Sequence, residues 1–102
     1  MKKELIVTSA IAAVVLIFGS AVHAFTGAKY AKEARITIEE ARKAALKAFH
    51  GKIISEELEK ESGGSGLRYS FDIRKGHITR EVGVDAKTGR ILENSIEGPH
   101  PD

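Results

Sequence analysis

Beyond the first 24 residues, His50, His77 and His100 are the side chains best suited to chemistry at neutral pH, as general bases or metal ligands. No two of them stand three or four residues apart, and no His-Glu-x-x-His occurs, so the spacing of a helical zinc site is missing. Ser65 sits in Gly63-Gly64-Ser65-Gly66, which lacks the Gly-x-Ser-x-Gly spacing of a nucleophile elbow, and the chain has no cysteine. The same glycine-rich run is followed by Leu67-Arg68-Tyr69, a strand start rather than the helix N-terminus a phosphate cradle needs. Glu56, Glu57, Glu59 and Glu61 crowd one short segment, a pattern that suits a solvated strand edge better than a cation site. Asp85, Lys87 and Gly89 have the outline of a calcium loop. Lys87 places a positive charge at its third position, and Gly89 offers no side-chain oxygen at its fifth. The residues therefore predict no catalytic group, no cofactor and no metal ligand, and they leave a binding surface as the function to look for.

The elements that shape this surface are legible in the period of the apolar residues. Leu67, Tyr69, Phe71 and Ile73 alternate with Arg68, Ser70, Asp72 and Arg74, the pattern of a half-buried strand. Lys75-Gly76 reads as a tight turn, and Ile78, Val82 and Val84 continue on one parity. Asp85-Ala86-Lys87-Thr88-Gly89 reads as a type I turn closed by a glycine bulge, with the Asp85 carboxylate capping its N–H groups. A last strand follows over residues 90–97. Upstream, Lys52 to Glu61 reads as an edge strand, and Ser62 to Gly66 as a flexible connector.

One helix is predicted over residues 38–50. Thr37 followed by Glu40 is a capping box, and Ile38, Ala41, Ala44, Ala45, Ala48 and Phe49 fall on one face. Gly51 stands where a left-handed cap would close the helix. The alanine-rich face implies close packing on something flat. Arg42 interrupts that face and has two readings, a stem lying along the rim of the sheet or a contact residue.

The 102 residues suffice for one domain. Lys2 and Lys3, the apolar run from Leu5 to Phe18, and the small residues before Ala24 have the anatomy of a secretory signal at residues 1–24, with cleavage expected after Ala24. The apolar run is shorter than the roughly 20 residues a membrane span needs, so contact with the membrane is expected only if the segment stays uncleaved. Residues 25–35 read as a flexible leader, and residues 98–102 as a disordered tail. The formal charge is +2, with both signs interspersed, which argues against nucleic acid as a partner.

The order of these pieces resembles a known family. Thr37-Ile-Glu-Glu-Ala-Arg-Lys-Ala-Ala45 is followed by Gly51 and an acidic strand, then by Tyr69-Ser-Phe-Asp-Ile73 and Val82-Gly-Val-Asp-Ala-Lys-Thr-Gly-Arg-Ile-Leu92. Together these resemble the PepSY domain, a small module of bacterial protease propeptides, and place it at residues 36–97. The resemblance implies an α+β fold, one helix packed on a four-stranded antiparallel sheet, in a periplasmic or secreted protein. It also implies chaperoning or inhibition of a peptidase, and it carries over no catalytic residue. With no protease sequence downstream, action in trans is what the resemblance leaves.

Two functions are expected to compete. The first is a non-catalytic binding module that engages an extracytoplasmic protease or a sensor domain. In a simple meander the outer strand at 90–97 carries less charge than its counterpart at 52–61, so Ile91, Glu93, Asn94, Ser95 and Ile96 are the candidate partner-binding edge. The second is a small-ligand or metal-responsive envelope protein using the acidic strand and His77.

Overall fold

The computed structural model describes residues 25–97. Residues 1–24, expected to be a secretory signal cleaved after Ala24, and residues 98–102, expected to be a tail, lie outside the described residues. Helix α1 spans Ile38–Ala48, and the strands β1 (Lys52–Lys60), β2 (Leu67–Lys75), β3 (Ile78–Asp85) and β4 (Ile91–Ile96) follow it in chain order. The strands form one antiparallel sheet in the order β1-β2-β3-β4, a plain meander with α1 across one side. The fold class read from the sequence is the one observed.

The core forms where the two periodicities meet. Tyr69, Phe71 and Ile73 of β2 lie opposite Val84, Val82 and Arg80 of β3, so their side chains share the face that α1 covers. Phe71, Ile73, Val82 and Val84 are sealed from solvent together with Ala41 and Ala45 of α1, whose small side chains let the helix lie close on the sheet. Both halves of the capping box are present: Glu40 N–H donates to Thr37 Oγ1 at 3.1 Å, and Thr37 N–H donates to Glu40 Oε1 at 2.8 Å.

Three local expectations change. The helix ends at Ala48, two residues early, because Phe49 is already extended at φ −150°. Gly51 is not in a left-handed conformation. Its glycine is needed for a different reason: a Cβ there would stand 2.6 Å from the Arg74 carbonyl oxygen, so only a bare backbone lets the chain pass β2 into β1. The β2–β3 hairpin turns on Gly76-His77 rather than Lys75-Gly76, since Lys75 is already paired with Ile78.

The largest correction concerns the leader at 25–35, which is packed and not flexible. Phe25 is buried and meets the Tyr69 ring edge-on at a centroid distance of 6.3 Å. Thr26 bridges to Glu57 in parallel, and Ala28–Glu33 form a short 3-10 helix. Arg35 and Ile36 then donate their N–H groups to the Ala86 carbonyl. The leader has no apolar period because it is held by one aromatic anchor and by backbone hydrogen bonds, neither of which leaves a periodic trace.

Candidate protein-binding edge

The sheet has two outer strands, and they differ in what covers them. On β1, Thr26 N–H donates to the Glu56 carbonyl at 3.3 Å, and the Leu58 N–H donates to the Thr26 carbonyl at 2.7 Å. The chain comes so close here that a Cβ on Gly27 would stand 1.9 Å from the Leu58 carbonyl oxygen, and Gly27 sits at φ +86°. The middle of the β1 edge is therefore taken by the protein's own leader.

On β4, no such strand is present among the described residues. The Glu97 N–H donates to the Thr79 carbonyl at 2.9 Å, and Glu81 lies opposite Ser95 two residues along. The alternation of an antiparallel ladder then turns the backbone groups of Asn94 and Ile96 outward, away from β3. The five residues singled out from the sequence do fall on this outer strand, and its pairing sorts them by face. Ile91, Asn94 and Ile96 lie opposite Val84, Val82 and Arg80, on the helix side; Glu93 and Ser95 lie opposite Gly83 and Glu81, on the uncovered side. Ile91 and Ile96 are 39% and 62% exposed. Arg80 reaches across from β3, its guanidinium 5.3 Å from the centre of the Phe49 ring. Its Nη1 donates to both the backbone carbonyl and Oδ1 of Asn94, at 3.2 Å each, so one outward carbonyl of the edge is lightly capped.

Acidic side chains dominate the uncovered face. Asp72, Glu81 and Glu97 bring carboxylate oxygens within 4.8 Å of one another. Burial, and then the charges of Glu93, Asp72, Glu59 and Glu97, hold the Glu81 carboxyl above its ordinary range. Arg68 answers part of this charge: it lies over Gly83 and donates to Glu93 at 3.1 Å. The carboxylate trio contains neither His77 nor any glutamate of β1, so the residues named for a metal-responsive role are not brought together. His77 sits exposed in the β2–β3 turn. Pairing register brought Asp72 opposite Glu81, which the alternating parity could have shown once the turn was placed correctly.

Two further polar features support the edge from a distance. Arg42 reaches the rim of the sheet, the first of its two readings: its Nε and Nη2 donate to the two carboxylate oxygens of Glu56, across from α1 to β1. Asp85 is the hub of the opposite end. Burial alone would raise its carboxyl, but hydrogen bonds from the backbone of Lys87, from the backbone and hydroxyl of Ser65, and from the backbone of Thr88 pull it down to about 2. The connector at 62–66, read from the sequence as flexible, is thus tied to the β3–β4 turn through Ser65, at 2.7 Å from N–H and 2.9 Å from Oγ.

A family model described as peptidase propeptide and YPEB domain matches residues 35–94. The chain belongs to the PepSY family. No curated protein and no solved structure matches it. PepSY modules are typically non-catalytic propeptide or inhibitor-like units, and they occur in extracellular or envelope proteins. In this PepSY chain the match begins after the strap around Thr26 that closes the β1 edge. Among the described residues, no helix is long and apolar enough to cross a membrane.

Proposed function

We propose that this PepSY protein is an exported, non-catalytic binding module that captures an extended segment of an extracytoplasmic protease or sensor domain by adding it to β4. The observation that carries this reading is the asymmetry of the two edges: the leader pairs with β1, while the backbone of Asn94 and Ile96 is left facing outward on β4. Main-chain hydrogen bonds to a sheet edge supply affinity without any catalytic group, and alternate side chains supply selectivity. Family membership supports a peptidase as the partner class, since PepSY modules accompany peptidases as propeptides or inhibitors. The signal-like residues 1–24, with cleavage after Ala24, support export.

The test is affinity capture from envelope extracts with the wild-type protein and with Asn94→Pro as baits. Proline removes the outward N–H of Asn94 and breaks no backbone bond to β3; the one contact with β3 it gives up is the exposed hydrogen bond from Arg80 to Asn94 Oδ1. A protease or sensor domain that is retained by the wild type and lost with Asn94→Pro supports the reading, provided the circular dichroism of the two baits coincides. Equal retention by both baits removes β4 as the docking edge.

A further inference from the structure

The charge pattern around β4 narrows the kind of segment it can take. We propose that the partner strand is cationic and amphipathic, with lysine or arginine at alternate positions over the uncovered face and apolar residues between them on the helix side. This deepens the docking of a strand on β4 proposed above and rests on it.

An added strand places its side chains directly opposite those of β4, on the same face and about 5 Å away. On the helix side it would meet Ile91 and Ile96, both exposed, with Asn94 between them. On the other side it would meet Glu93, Ser95 and Glu97. Ser95 is short, and Glu81 lies directly behind it on β3, so a long cationic side chain opposite Ser95 can run over it to the Glu81 carboxylate. Neither Glu81 nor Glu97 takes part in an ion pair among the described residues, whereas Glu93 is already paired with Arg68. The other cations of this face, Lys52 and Arg74, lie opposite each other on β1 and β2, in the row that runs through Thr79 to Glu97, but neither forms an ion pair with Glu81 or Glu97 among the described residues. The carboxylates of Glu81 and Glu97 next to the β4 edge therefore have no directly paired cation among the described residues. Burial and the neighbouring carboxylates already hold Glu81 against ionisation, so an ammonium group arriving there relieves an existing repulsion. The same charge disfavours a second copy of this chain, because an antiparallel β4 would add its own Glu93 and Glu97 to the row.

The full-length chain in mild detergent is titrated with three short synthetic peptides: alternating lysine and valine, alternating glutamate and valine, and a peptide of the first composition with its lysines and valines in separate blocks. The alternating lysine peptide is expected to bind at least about tenfold more tightly than either control and to weaken as salt is added. Glu81→Gln combined with Glu97→Gln is expected to reduce its affinity about tenfold while leaving the fold unchanged. In the wild type, bound peptide lowers the pH at which Glu81 titrates by NMR. Equal binding of the glutamate or blocked peptide, indifference to the double substitution, or self-association through β4 without peptide overturns the cationic-strand proposal. Asn94→Pro separates the two levels of the argument. If it abolishes binding while the charge variants do not, the edge stands and its cationic selectivity falls. If it changes nothing, the docking edge itself falls.

Discussion

The Thr26 carbonyl accepts the Leu58 N–H at 2.7 Å, joining a residue ahead of the helix to the middle of the first strand. This contact closes the middle of the β1 edge, whereas β4 has no strand beyond it among the described residues. It also ties the Phe25 ring into the core beside Tyr69.

Gly27→Ala tests that strap. The substitution forces a side chain into a left-handed backbone and against the Leu58 carbonyl, and it should cost about 2 kcal/mol or more of stability. Amide exchange at Leu58 should accelerate well beyond that at Val82 in the sealed core. If Leu58 exchange stays at its wild-type rate, the strap does not close the β1 edge.

Asp85 should set the acid limit of the fold. Its folded pKa lies below its unfolded value, so its contribution is complete above about pH 4 and is lost as pH falls toward about 2. A shift of this size amounts to roughly 2 kcal/mol at neutral pH. Asp85→Asn should remove about that much at pH 7 and flatten the acid limb of a denaturation series, with the two proteins converging near pH 2. Parallel curves across that window would contradict this role.

Glu81 works in the opposite sense. Its folded pKa is raised, so the group favours folding below its unfolded value and that benefit fades as pH rises through the folded one. Glu81→Gln should therefore raise the melting temperature at pH 7 and lose its advantage in acid. A variant less stable than wild type at neutral pH would show that Glu81 has a favourable partner.

The Arg42–Glu56 pair links helix to edge strand with two hydrogen bonds, its side chains 28% and 16% exposed. Partial shielding and the two-pronged geometry place its coupling near 1 kcal/mol, above the usual exposed pair. A double-mutant cycle with Arg42→Ala and Glu56→Ala measures it. Coupling indistinguishable from zero would make the contact incidental.

Much of this architecture was readable because it depends on local period. The capping box at Thr37 and Glu40, the alternation through Tyr69, Phe71 and Ile73, and the Asp85–Gly89 turn each act within a few residues. The meander followed, because short turns join antiparallel neighbours. The reach of Ser65 to Asp85 and the pairing of Thr26 with β1 were not readable, since each joins segments 20 or more residues apart through groups that nearly any sequence supplies. Gly51 and Gly27 illustrate the limit: both are glycines for close approach of backbones, and a glycine code does not say what it approaches.

By itself, then, the sequence determined an amphipathic helix, four strands and a family, because hydrophobic period and turn chemistry are written residue by residue. Only the tertiary structure decided that the leader belongs to the sheet, that among the described residues β1 rather than β4 has its edge covered, and that Asp72, Glu81 and Glu97 meet near β4. Those outcomes depend on register and on backbone hydrogen bonds between distant segments. Every peptide unit carries the same donor and acceptor, so which of them pair is settled by the packing of the whole.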